Sequence, residues 1–136
     1  MKALSIYPQY AQQIAVGFKT IECRSWRTNY RGDILVCSSA KKGPGMIPGH
    51  ALAVVTLADI VPFEHKHLYD ARMSNSDYSS GLYAWILENP RLIKPFPVKG
   101  KLHLWECDHE IIFLPVLKDR LEATLQRKAY WDPITC

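Results

Sequence analysis

The spacing of apolar residues changes along the chain, and each change marks an element. Residues 2–6, Lys-Ala-Leu-Ser-Ile, read as a short strand. Pro8 then suits the first turn of a helix, where its missing N–H has no helical partner to lose. Ala11, Ile14, Ala15 and Phe18 follow at i, i+3, i+4 and i+7, the spacing of one buried helical stripe. Gly17 is placed to end that helix in a left-handed conformation, which predicts a helix over 8–17. From Thr20 the period drops to two. Ile21 and Cys23 would face a core, and Thr20, Glu22, Arg24 and Trp26 a polar surface with an aromatic rim.

Asn29-Tyr30-Arg31-Gly32-Asp33 is turn chemistry. Ile34-Leu35-Val36-Cys37 is an apolar run of strand length, and it empties into a Gly- and Pro-containing loop from Ser38 to Gly45. His50 to Val61 predicts a longer central strand. Residues 62–80 are mixed, with a short helix expected near 64–72 and irregular chain after it. Leu82 to Leu87 predicts another strand with Tyr83 and Trp85 on one face, a pairing more often core than ligand cage. Pro90 to Pro97 reads as a proline-punctuated turn, and Gly100 opens a strand over 101–107. Pro115 is expected to start a terminal helix over 115–128, with Leu117, Leu121 and Leu125 on one side.

Five or six short strands, a helix after the first and a helix at the end make an α+β, mainly β chain. No β-α-β rhythm recurs, so a small barrel or curled sheet is expected rather than a doubly wound one. The expected division is a domain over 1–113, with 114–136 a helical extension packed on it, a dimer contact being its other use. Oligomeric state, monomer or dimer, stays open.

Composition narrows the class. The chain has 136 residues, 48% of them hydrophobic and 22% charged, which suits one ordinary globular domain. No stretch reaches the apolar length of a membrane span, and residues 1–4 run straight into a strand. A soluble, cytoplasmic protein is expected, with no membrane partner. Cys23, Cys37, Cys107 and Cys136 form no C-x-x-C pair, and read as free thiols. His65-x-His67 and Cys107-x-His109 lack a second half at zinc spacing, so neither a metal nor any other cofactor is expected.

Charge adds a location. Lys19, Arg24, Arg27, Arg31, Lys41 and Lys42 outnumber Glu22 and Asp33 across 19–42, a local net charge of +4. Arg91, Lys94, Lys99 and Lys101 make a second basic segment with no acid. The whole chain carries only +4, so an anionic ligand bound locally fits better than a uniformly basic surface.

The run Gly17-Phe18-Lys19-Thr20-Ile21-Glu22-Cys23-Arg24-Ser25-Trp26 concentrates the chemistry. Arginine offers a planar fork of donors to a phosphate or base edge, and lysine a mobile point charge. Glutamate accepts from an exocyclic amine or moves a proton. A tryptophan face stacks a base, worth about 1–3 kcal/mol. On an exposed strand the same Glu–Arg pair would be an ordinary surface ion pair of little energetic weight.

This run, with Ser5-Ile6 and Pro8 before it and Tyr30-Arg31-Gly32 and Ser38-Ser39 after it, resembles the ASCH domain family of the PUA-like superfamily. Tyr83-Ala84-Trp85-Ile86-Leu87-Glu88 and Val98-Lys99-Gly100-Lys101-Leu102 resemble later family strands, in the same order over roughly residues 3–107. The resemblance implies a curled, mostly antiparallel barrel with a helix across the mouth of a cleft, and RNA, a nucleotide or a modified nucleoside as partner. It implies that Lys19, Glu22, Arg24 and Trp26 edge the cleft and that Ser38 and Ser39 face them. Arg31, Lys41 and Lys42 would extend the basic rim, with Tyr83 a further ligand contact.

Two other activities stay in view. Some relatives hydrolyse an acetylated cytidine amide or cleave RNA, and here Lys19 and Glu22 would be the catalytic pair. The amidohydrolase branch has a threonine three residues after its lysine, where this chain has Glu22. The third reading is a protein-interaction adaptor working through the terminal helix.

Overall fold

The computed structural model describes residues 1–115. Its elements are β1 (Lys2–Ile6), α1 (Pro8–Ala15), β2 (Ile21–Arg24), β3 (Gly32–Ser38), β4 (His50–Pro62), β5 (Tyr83–Pro97) and β6 (Leu104–Glu106). The six strands form one sheet in the order β2-β5-β4-β3-β1-β6. Only β1 and β3 run parallel, and the other neighbours are antiparallel. The fold is therefore mainly β, a curled half-barrel with one helix. The terminal helix expected over 115–128 lies outside the described residues.

Alternation along β3 explains why its sequence is apolar throughout. Ile34 and Val36 join Leu4, Ile6, Val55, Leu57 and Trp85 on one face, where Ala11, Ile14 and Ala15 of α1 cover them. Leu35 and Cys37 join Ala3, Ala51, Val54, Ile93 and Phe96 on the other. Both faces of the central strands are thus buried, each large aliphatic residue contributing about 1.5–3 kcal/mol. A third cluster, Ile21, Phe63, Leu68, Ala71 and Ala84, fastens the segment between β4 and β5 to β2.

The helix starts with Pro8 in its first turn and ends where Gly17 takes φ +81°. The N–H groups of Phe18 and Lys19 both donate to the Gln13 carbonyl, at 2.9 and 3.1 Å. That turn sets the direction in which Lys19 leaves the helix. Curling of the sheet then brings its ends together. Arg24 on edge strand β2 donates from Nη2 to the Ser5 carbonyl on β1 at 3.0 Å, although three strands separate β2 from β1.

Two expectations are corrected. Pro90 to Pro97 is no turn, because β5 runs through it to Pro97. Between the Thr56–Glu88 and Val54–Arg91 pairs β5 has one residue more than β4, around Asn89 (φ +50°) and Pro90. A second bulge before Phe96 takes in Pro95, so both prolines sit where no ladder N–H is required. Nor is there an α-helix over 64–72. Only His65–His67 makes a short 3₁₀ turn. The Asp70 carbonyl accepts instead from the N–H groups of Thr20 and Ile21 (3.0 and 3.2 Å), and Arg72 turns the chain at φ +56°.

Candidate functional site

A cleft of about 490 Å³ opens where the ends of β1 and β3, the start of α1, strand β2 and the segment after β4 meet. Lys19 enters it from the helix-ending turn and is 3% exposed. Its ammonium donates to the Ala71 carbonyl at 2.6 Å, stands 3.5 Å from Glu22 Oε1 and lies 5.4 Å from the Tyr10 ring centroid. Burial holds the Lys19 pKa below its ordinary value, and the Glu22 charge opposes that shift without cancelling it.

Glu22, 6% exposed, is the centre of the charge arrangement. Its Oε2 lies 3.0 Å from Arg24 Nη2, and its Oε1 accepts from the Cys23 N–H at 3.2 Å. One buried carboxylate is thereby held between a lysine and an arginine. Burial, then the Glu22 charge, pushes the Cys23 thiol pKa up, so this cysteine on the cleft wall is a poor nucleophile.

The opposite wall comes from residues after β4: Ala71, Arg72, Met73 and Asp77. Arg72 Nε donates to the Phe18 carbonyl at 2.9 Å, and its guanidinium stacks 3.6 Å over the Phe18 ring and 4.6 Å from Tyr69. The Asp77 carboxylate is held by Ser74 N and Oγ at 2.8 and 2.9 Å, which lowers its pKa.

Of the residues expected at a site, Lys19, Glu22, Arg24 and Ser39 line this cleft together. Lys41 stands at its edge, 4.5 Å over the ring of the lining residue Tyr7. Lys42 is exposed in the same loop, outside the lining. Trp26 lies elsewhere, packed edge-on against Trp85 and His103 with both centroids at 4.7 Å. Ser38 is buried between strands, its Oγ accepting from His50 N (3.0 Å) and donating to His50 O (3.2 Å). Arg31 folds back on the Thr28 and Tyr30 carbonyls and reaches Asp59 at 3.5 Å. Tyr83 lies under Arg27 at 5.7 Å.

Sequence reasoning missed Tyr7, Tyr10, Arg72, Met73 and Asp77. The two tyrosines had a local signal, since both flank the predicted helix start. Residues 71–77 had none, being brought in only by packing on β2. The histidines once considered for a metal are engaged elsewhere: His65 stacks on Tyr78 (3.9 Å), His109 on Phe96 (3.7 Å), and His67 Nδ1 accepts from Glu64 N (2.9 Å).

Comparison with protein families gives a match to the model described as the ASCH domain, over residues 4–97. The chain belongs to the ASCH domain family. Every cleft-lining residue named above falls within the matched stretch. Among solved structures, this ASCH chain is similar to the ASCH protein of Zymomonas mobilis, with a TM-score of 0.61, 16% identity and 93% of each chain covered. A point variant of that protein aligns at TM-score 0.57 and 19% identity, covering 71% of this chain and 74% of the other. At such identities the likeness is one of fold, the PUA-like half-barrel. Among curated proteins the ASCH chain is 26% identical to Activating signal cointegrator 1 of Homo sapiens and 25% to that of Mus musculus, over 79% of its own length. It spans only 22% of those relatives.

Proposed function

We propose that this ASCH chain binds RNA or a nucleotide in the cleft between α1, β2 and residues 71–77. The observation that carries the proposal is the convergence of Lys19, Glu22 and Arg24 on one open cleft whose walls also bear Tyr7 and Tyr10. Cations meet phosphate, tyrosine faces stack a base, and Glu22 accepts from an exocyclic amine. The separation of Lys19 and Arg24 by a buried carboxylate supports a ligand with both polar and anionic groups over a simple anion. Binding is tested with short single-stranded RNA and a panel of nucleotides at rising salt. Affinity is expected to fall with salt and to weaken by about tenfold in Lys19→Met and in Arg24→Gln. If both variants, checked to be folded, bind as the parent does, the cleft is the wrong site.

One observation favours a second reading. The lowered Lys19 pKa beside a carboxylate at 3.5 Å is suited to moving a proton, as a hydrolase of nucleoside amides or RNA requires. Turnover of acetylated cytidine or RNA that disappears in Lys19→Met would establish it. Absence of turnover across that panel leaves binding as the function.

A further inference from the structure

Three hydrogen-bonding atoms of the cleft-lining residues are buried and have no partner among the described residues: Ser5 Oγ, Ser39 Oγ and Arg24 Nε. The two other such atoms, Gln13 Oε1 and Trp105 Nε1, belong to residues outside the lining. Topology brings the three together. Ile6 pairs with Ser38 in the β1–β3 ladder, and Ser39 N–H donates to the Ile6 carbonyl at 2.8 Å, so both serines stand at the paired ends of two parallel strands. The bond from Arg24 Nη2 to the Ser5 carbonyl, at 3.0 Å, brings the guanidinium to the same place. Gly100 covers the corner from behind, where a Cβ would come within 2.4 Å of Ser5 Oγ.

Buried polar groups without partners are costly, and folded proteins keep few of them. Arg24 Nε can only donate, whereas each serine hydroxyl can donate or accept. One group that answers all three presents several acceptor oxygens at once. Around the corner the lining carries Lys19, Arg24 and Arg72 against Glu22 and Asp77, and Lys41 stands over Tyr7. The balance is positive. Helix α1 begins at this wall with no acid in its first turn, and its N-terminal dipole also favours an anion.

We propose that this serine corner seats a phosphate group, so that the ligand is a phosphorylated nucleotide or a nucleic-acid phosphate rather than a bare nucleoside. This rests on the nucleotide-binding reading above and adds the ligand's charge and where it sits. A base carbonyl offers a single oxygen and leaves at least one of the three groups with a strained or missing bond. A phosphate offers three.

The test compares the common ribonucleosides, their 5′- and 3′-monophosphates, and a short RNA with unphosphorylated ends, by calorimetry on the full chain. The parent is expected to bind a phosphorylated form about tenfold or more tightly than the matching nucleoside. That gain should fall to about threefold or less in Ser5→Ala, in Ser39→Ala and in Gly100→Ala, whose new methyl displaces the Ser5 hydroxyl. The Gly100 variant leaves every lining residue in place and guards against a folding defect in the serine variants. Preference for a monophosphate would assign the corner to a terminal phosphate, and preference for the RNA to a backbone diester. Both support the seat. A phosphate gain that is absent, or that persists unchanged in all three variants, overturns it and shows the corner to be water-filled. If nucleosides, nucleotides and RNA all fail to bind, the nucleotide reading itself falls, a result distinct from binding without a phosphate gain.

Discussion

Replacing Lys19 with methionine keeps the length of the side chain and removes its charge. Three interactions go with it: the bond to the Ala71 carbonyl at 2.6 Å, the Glu22 contact at 3.5 Å and the cation over Tyr10. Breaking a fully buried ion pair costs about 3–5 kcal/mol, because a charge is left uncompensated. Here Glu22 keeps Arg24 at 3.0 Å, and the Arg24 side chain is 24% exposed. The orphaned carboxylate therefore stays largely neutralised, and a loss of about 1.5–3 kcal/mol is expected. Glu22→Gln strands two cations instead, and should cost at least as much. In the double variant neither charge of the pair remains, so the two losses should fall short of additive by about 1–2 kcal/mol.

The assay is urea unfolding followed by tryptophan fluorescence, with the four proteins compared at fixed pH. A second axis checks the cause. The folded-state pKa of Lys19 is below 10.5 and burial is the largest contributor, so between the two values the unfolded chain holds more protons. Stability from this group therefore rises with pH across that window, as the desolvated charge is relieved. The parent's margin over Lys19→Met should widen as pH climbs toward 10.5. Additive single losses, or a margin that narrows over that range, would refute the view of Lys19 and Glu22 as one buried, coupled unit.

Three further outcomes follow from the same geometry. Arg91 forks onto Asp33 at 3.0 and 2.7 Å and lowers its pKa, so the pair stabilises the fold above pH 3.8 and the benefit is lost as pH falls through the lower folded value. With Asp33 45% exposed, Asp33→Asn should cost under about 1 kcal/mol at neutral pH, and an undiminished cost in strong acid would contradict this. Trp85 is 0% exposed and donates from Nε1 to the Trp26 carbonyl at 3.2 Å, so Trp85→Ala should lose about 3–5 kcal/mol in chemical unfolding. A loss below about 1 kcal/mol would mean that Trp85 is no core residue. Gly17→Ala should lower stability by about 1–2 kcal/mol through its φ of +81°, since its Cβ would meet Pro90 only at 3.5 Å; a neutral melting shift would remove the argument for that turn.

Much of the fold is local enough to be read from the chain. Pro8, the Ala11-Ile14-Ala15 stripe and Gly17 mark the helix because each acts within a few residues. The long strand β5 hides because proline ordinarily stops a ladder. Only the partner strand reveals that Pro90 and Pro95 fall at bulges, and no local pattern carries that register. The helix expected after β4 fails for a related reason, its backbone carbonyls being taken by Thr20, Ile21 and Lys19.

The same division runs through the cleft. Lys19, Glu22 and Arg24 are close in sequence, and alternation on β2 brings them to one place. Ser39 joins them because two parallel strands end side by side. Arg72 and Asp77 arrive through tertiary packing, and a mixed polar stretch gives no hint of them. Trp26 illustrates the reverse, a residue whose chemistry suits stacking but whose ring is used against Trp85 and His103.

The central claim is that nucleotide or RNA binds in this cleft and not on the second basic segment. Backbone amide shifts of the isotope-labelled chain, titrated with a single-stranded RNA and then with a nucleoside monophosphate, test it most directly. The account predicts that the largest shifts cluster at Ser5, Tyr10, Lys19, Arg24, Ser39 and Arg72. Shifts confined to Arg91, Lys94, Lys99 and Lys101, with the cleft residues unmoved, would contradict it.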